Sequence, residues 1–131
     1  MNLFAYGTLM VPRLMAAITG SYFSYADAIL KDYARYGVTN APYPGLVFER
    51  DACTRGVVYF DIDTGSLHRM DRYEDDYYGR IRVGVDTSEK PVPTETYVFK
   101  AAFRHLLSDS AWNPETFRQT HLERYIERFG R

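Results

Sequence analysis

Leu3-Phe4-Ala5-Tyr6 is a short apolar run, and Gly7 stops it before Thr8-Leu9. A run of this length bounded by glycine reads as a buried strand that ends in a tight turn. Pro12 then suits the first turn of a helix, where its missing N–H costs nothing. Leu14, Met15 and Ile18 supply the helix with an apolar stripe, and Gly20 fits its C-terminal cap. A doubly wound parallel sheet would need a longer helix after most strands, and the rest of the chain does not provide them.

Beyond this unit, Ser21 to Val38 is rich in Tyr and Phe and reads as one or two strands with a bend. The turn Asn40-Ala41-Pro42-Tyr43-Pro44-Gly45 follows, its two prolines forbidding a central strand. Leu46-Val47-Phe48 and Gly56 to Ile62 look like paired strands, with Arg50 to Thr54 as a loop between them. Asp63 or Thr64 caps a short helix that carries Leu67, Met70 and Tyr73/Glu74 on one face and ends near Glu74. Tyr78 to Val85 and Thr94 to Phe99 read as strands joined by the loop Ser88 to Pro93. Asn113-Pro114-Glu115 caps a terminal helix lined by Phe117, Leu122, Tyr125 and Phe129, which Gly130 ends. About six strands and three brief helices favour an α+β fold on a curved or barrel-like sheet. No repeat or domain-boundary linker appears, so residues 1–131 are expected to form one domain.

Composition narrows the function. The 131 residues carry 16 Lys+Arg against 17 Asp+Glu, and 46% are hydrophobic. That is enough for a core, and the near-neutral balance argues against nucleic-acid binding, which rests on a basic face. No apolar run approaches the roughly 18 residues of a membrane span. The single cysteine, Cys53, excludes an internal disulfide and suits a cytoplasmic protein. Twelve tyrosines are many for this length. They suit either the rim of a small β-rich core or a Tyr-lined pocket.

Two stretches could carry chemistry. In Tyr6-Gly7-Thr8-Leu9, glycine lets successive N–H groups turn the same way, and the helix beyond adds free donors. Such a corner can hold a carboxylate or an oxyanion, although an ordinary strand-to-helix turn has the same pattern. In Met70-Asp71-Arg72-Tyr73-Glu74-Asp75-Asp76-Tyr77-Tyr78-Gly79-Arg80, Glu74 lies on the helix face that Leu67 and Met70 turn inward. A carboxylate there is costly unless paired or working, and burial would raise its pKa into the range of a general base. A solvated acidic helix end neutralised by Arg72 and Arg80 fits the same residues. His68, His105 and His121 show no metal-ligand spacing to one another or to Cys53, and no metal or cofactor is expected.

Taken together, the chain resembles the γ-glutamylcyclotransferase-like, or AIG2-like, family. Phe4-Ala5-Tyr6-Gly7-Thr8-Leu9 is similar to that family's Tyr-Gly-Ser/Thr-Leu signature after the first strand. Tyr43-Pro44-Gly45-Leu46 is similar to its Pro-Gly strand start, and Arg55-Gly56-Val57-Val58-Tyr59 to its Gly-x-x-Tyr strand. Asp71-x-Tyr73-Glu74 followed by Tyr78-x-Arg80 resembles its Asp-x-Phe/Tyr-Glu, Tyr, Arg sequence. The four features run in order from Leu3 to about Phe99. Asp75 and Asp76 depart from the pattern, standing where the family usually has Gly and Pro. The tail from Ala101 to Arg131 lies outside the shared motifs.

The resemblance implies a small mixed β-barrel flanked by short helices, with a cavity whose mouth holds the Tyr6–Leu9 loop. It implies Glu74 as catalytic acid/base, Tyr6, Gly7, Thr8 and Leu9 as substrate-binding residues, and a γ-glutamyl amide as the small-molecule substrate. Tyr78 is a further expected pocket wall or hydrogen-bond donor. In the family's reaction the substrate's own α-amino group attacks its γ-carbonyl, closing 5-oxoproline and releasing an amine. The attack is intramolecular, so no Ser, Cys or His nucleophile is needed, and effective molarities of order 10⁵–10⁸ M are available. The alternatives are a non-catalytic sensor or accessory protein using the same cavity, and an interaction domain with a Tyr-rich face.

Overall fold

The computed structural model describes residues 1–129. The expected helix end at Gly130 lies outside the described residues. The chain runs β1 (Leu3–Ala5), a 3₁₀ turn (Thr8–Met10), α1 (Pro12–Thr19), β2 (Tyr25–Val38), β3 (Pro44–Tyr59), α2 (Thr64–Tyr73), β4 (Tyr78–Asp86), β5 (Pro91–Phe99), a second 3₁₀ segment (Ala101–Leu106), β6 (Leu107–Ala111), α3 (Pro114–Thr120) and α4 (Leu122–Phe129). Five strands close a ring in the order β3-β1-β5-β4-β2, with β2 pairing back onto β3, and β6 lies outside on β2. The β1–β5 pairing is parallel and the others are antiparallel, so the barrel is mixed.

β1 holds this ring together. Phe4 packs with Leu30, Leu46, Val58 and Val85 on one face, while Leu3 and Ala5 pack with Met15, Tyr59 and Met70 on the other. Burial on both faces explains the unbroken apolar run that opens the sequence. Gly56 lets β3 cross β1 closely, since a Cβ there would lie 2.3 Å from the Ala5 carbonyl oxygen. Asp63 caps α2 by accepting from Ser66 N–H at 3.0 Å, and Asn113 caps α3 by accepting from the N–H groups of Glu115 and Thr116.

The β2–β3 hairpin corrects two expectations. Leu46–Phe48 and Gly56 onward do not pair with each other, and residues 50–54 are not a loop. Both stretches belong to one long strand, β3, whose two halves pair with the two halves of β2. The register shifts between Lys31 and Tyr33, where Asp32 alone lies opposite residues 49–52. Asp32 and Asp51 both take positive φ, 67° and 70°, and Asp51 N–H donates to Asp32 Oδ1 at 3.0 Å. Aspartate tolerates this left-handed backbone better than most residues, so polar residues form a bulge where a loop was expected. Cys53 is accordingly an exposed strand residue.

The expected loop 88–93 is also shorter, because β5 begins at Pro91. β1 reaches β5 only at Glu95, which leaves Pro91 and Pro93 on an edge that can lack N–H donors. The terminal helix is broken at His121 into α3 and α4. Phe117 and Leu122 fasten that pair onto Val11 and Leu14 beside and within α1. No helix among the described residues is long and apolar enough to cross a membrane.

Candidate active site

Glu74 is the C-cap of α2, its N–H bonded to the Met70 carbonyl at 2.9 Å. Met70 is fully buried one turn earlier and anchors the helix on the barrel. Its cap position aims Glu74 into a cavity of about 260 Å³. The loop Tyr6-Gly7-Thr8-Leu9 lines the same cavity, as do Tyr78 and Asp75. The two segments that sequence placed far apart thus share one hollow.

The loop is held from several sides. Tyr6 hydroxyl donates to the Tyr97 carbonyl at 2.6 Å, and the Tyr6 carbonyl accepts from Arg35 at 2.8 Å. Tyr59 hydroxyl donates to the Leu9 carbonyl at 2.7 Å. Thr8 Oγ1 and the Tyr73 hydroxyl share a 2.7 Å bond, which ties the loop to the end of α2. Met10 N–H is the first of the 3₁₀ turn to find an acceptor, the Gly7 carbonyl at 3.0 Å. The N–H groups of Gly7, Thr8 and Leu9 precede it and have no partner within the turn. Gly7 has φ −120°, and its need for glycine is steric: a Cβ would lie 3.0 Å from Pro44 Cγ.

Electrostatics set Glu74 apart. Burial, with Asp71 and then Asp75 adding like charge, pushes its carboxyl up to about 8. Among the described residues no cation forms an ion pair with it. Arg80, which could have neutralised it, is spent on Asp71 at 3.3 Å and Glu95 at 2.8 Å. Asp71 also accepts a 2.5 Å bond from the Tyr97 hydroxyl. The cluster is therefore divided into a paired carboxylate, Asp71, and an unpaired one, Glu74. Burial raises the hydroxyls of Tyr6, Tyr73, Tyr78 and Tyr97 as well, so these remain neutral donors or acceptors.

Tyr78 presents its ring to the cavity while its hydroxyl donates to the Pro44 carbonyl at 2.6 Å. That bond fixes Pro44 against Gly7 and uses the hydroxyl's proton. Tyr43, from the Asn40–Gly45 turn, lines the cavity too, and sequence reasoning gave no site role to Tyr97, Tyr125, Arg128 and Phe129, which also line it. The excess of tyrosine was the available signal: six of the twelve line this one hollow. The contribution of α4 had no signal, since the tail is far from the shared motifs in sequence.

Comparison with known proteins agrees with this architecture. The model of a family described as gamma-glutamyl cyclotransferase, AIG2-like, matches residues 3–114. A curated Arabidopsis thaliana protein, Protein AIG2 C, is 31% identical over 98% of this chain and 78% of its own length. A solution structure of an Arabidopsis thaliana protein superposes with a TM-score of 0.73 at 30% identity, covering 98% of this chain and 78% of that one. A structure titled gamma-glutamyl cyclotransferase superposes with a TM-score of 0.69 at 18% identity over 98% of this chain and 85% of that one, which establishes the shared fold. A closed mixed barrel with a glycine corner and an acidic helix end around one cavity, matched along most of its length, makes this chain a member of the gamma-glutamyl cyclotransferase, AIG2-like family.

Proposed function

We propose that the protein is a cyclotransferase that releases an amine from a γ-glutamyl amide and forms 5-oxoproline. The observation that supports it most is an unpaired carboxyl, raised to about 8, facing the glycine loop across a small cavity. The γ-glutamyl group lies between the two, its α-carboxylate or developing oxyanion received by the N–H groups of Gly7, Thr8 and Leu9. Ionised Glu74 takes a proton from the α-amino group as its nitrogen attacks the γ-carbonyl carbon. Glu74 then returns that proton to the departing nitrogen as the amide C–N bond breaks, and takes up the proton still in excess on the ring nitrogen, leaving the neutral lactam. One carboxylate thus serves as base and then acid, with an apparent pKa near the working pH, where such catalysis is efficient.

Tyr6 and Tyr78 support this arrangement through the backbone, since both hydroxyls donate to main-chain carbonyls. The test is incubation of the purified protein with a panel of γ-glutamyl amides, following 5-oxoproline and free amine by mass spectrometry. Turnover by the wild type and its loss by a factor of order 10²–10⁴ in Glu74→Gln are expected. Saturable binding without product would favour a metabolite sensor. Product formation undiminished in a folded Glu74→Gln variant would remove Glu74 from the mechanism.

A further inference from the structure

Helix α4 lies beyond the residues that the family model matches, yet it supplies Tyr125, Arg128 and Phe129 to the cavity wall. Phe129 meets the Tyr73 ring edge-on at 4.9 Å, and Tyr73 is the residue bonded to Thr8. The end of α4 is therefore coupled to the glycine loop through one intermediate side chain. Arg128 is the one cation among the described residues that line the cavity, where the other charged groups are Glu74 and Asp75. Its guanidinium carbon sits 5.0 Å above the Phe129 ring. Among the described residues no carboxylate forms an ion pair with it. A guanidinium steadied by a ring, with its fork of donors unspent, is suited to bidentate binding of a carboxylate.

Position decides which carboxylate. The γ-glutamyl half is served by the inner loop, and its reacting atoms must meet Glu74. Arg128 is exposed at the rim, so the part of a substrate that reaches it is the part that leaves. We infer that Arg128 is a specificity-determining residue that binds a carboxylate on the leaving half, so that γ-glutamyl derivatives of amino acids or peptides are preferred over those of simple amines. This rests on the cyclotransferase reading.

The test compares γ-glutamylalanine with γ-glutamylethylamide, which differ by that carboxylate, on wild type, Arg128→Met and Arg128→Lys. The wild type is expected to favour γ-glutamylalanine by roughly tenfold or more in kcat/KM, as befits a charged hydrogen-bonding pair near solvent. The ratio collapses toward unity in Arg128→Met and is intermediate in Arg128→Lys. Equal use of both compounds by the wild type, or a fall of both rates together in Arg128→Met, overturns the assignment. If the wild type forms 5-oxoproline from neither, the cyclotransferase reading fails, and calorimetric binding of the same compounds decides the role of Arg128. Tighter binding of γ-glutamylalanine that vanishes in Arg128→Met upholds carboxylate recognition, and equal binding refutes it.

Discussion

Replacing Glu74 with Gln separates the cost of this carboxylate from its use. In the unfolded chain a glutamate ionises near 4.5, whereas in the folded protein burial holds it to about 8. The folded state therefore binds more protons than the unfolded state between those values. Stability from this group is fully present below about 4.5 and falls as pH rises toward 8, because ionising the folded carboxyl without a counter-charge costs free energy. Each pH unit of separation corresponds to about 1.4 kcal/mol, and the full separation sets a ceiling near 5 kcal/mol. Glu74 is only partly buried by surface area, and water at the cavity mouth screens it, so a loss of roughly 2–4 kcal/mol is expected. Gln has the same shape and does not titrate, and the C-cap bond to Met70 is made by the backbone.

The assay is denaturant unfolding of both proteins at pH 5 and pH 9, fitted with a common m-value. The difference in stability between variant and wild type is expected to grow by those few kcal/mol in favour of Glu74→Gln at the higher pH. The paired carboxylates, such as Asp71 with Arg80, are common to both proteins and cancel. The same substitution is expected to abolish most turnover. Stability curves that stay parallel across this range would show that the cavity does not hold the carboxyl neutral. The proposed base would then have no physical basis.

Other perturbations probe the pH dependence of the site, the glycine loop and the C-terminal helices. If ionised Glu74 is the base, kcat/KM rises with pH up to about 8, with a limiting slope of one decade per unit, and Glu74→Gln lacks that limb. Gly7→Ala places a methyl 3.0 Å from Pro44 Cγ. It is expected to lower stability by about 1–3 kcal/mol and to lose activity beyond that, since the loop must move. Phe117→Ala empties a side chain that is 1% exposed beneath α3 and α4, and should cost about 3–5 kcal/mol in thermal unfolding. An unchanged midpoint would mean that the C-terminal helices do not belong to the cooperative core.

Legibility in the sequence followed the range of the interactions. The Leu3–Tyr6 strand, the Gly20 cap, the Asp63 cap and the Asn113-Pro114 start are local choices of backbone and hydrogen bonding, and each is found in the structure. Glu74 was readable as inward-facing because Leu67 and Met70 precede it on the same helix face. The β2–β3 hairpin was misread because polarity at Arg50–Thr54 signals solvent, and a long hairpin arm outside a barrel meets solvent just as a loop does. Pairing of Leu46–Phe48 with β2 instead of with the Gly56 stretch depends on a bulge between Asp32 and Asp51, which periodicity cannot register. The approach of Arg128 and Phe129 to the cavity depends on contacts such as Phe117 with Val11, between segments distant in the chain.

The cavity also constrains how substrate recognition and activation are linked. At pH 7 a carboxyl titrating near 8 is mostly protonated, so the free site is close to neutral and cannot yet act as a base. On the proposed function, the γ-glutamyl substrate brings an α-ammonium group, the counter-charge that Glu74 lacks. Its arrival is then expected to lower the carboxyl's pKa and release a proton to solvent before the carboxylate takes one back from the bound ammonium. An L-2-aminoadipyl alkylamide, one methylene too long to close a five-membered ring, isolates this binding step. Calorimetry at pH 7 in buffers of different ionisation enthalpy is expected to show release of most of one proton per site in the wild type and near none in Glu74→Gln. Equal proton release by both proteins would mean that the ammonium meets some other group, and that the buried acid and the substrate's amine do not face each other.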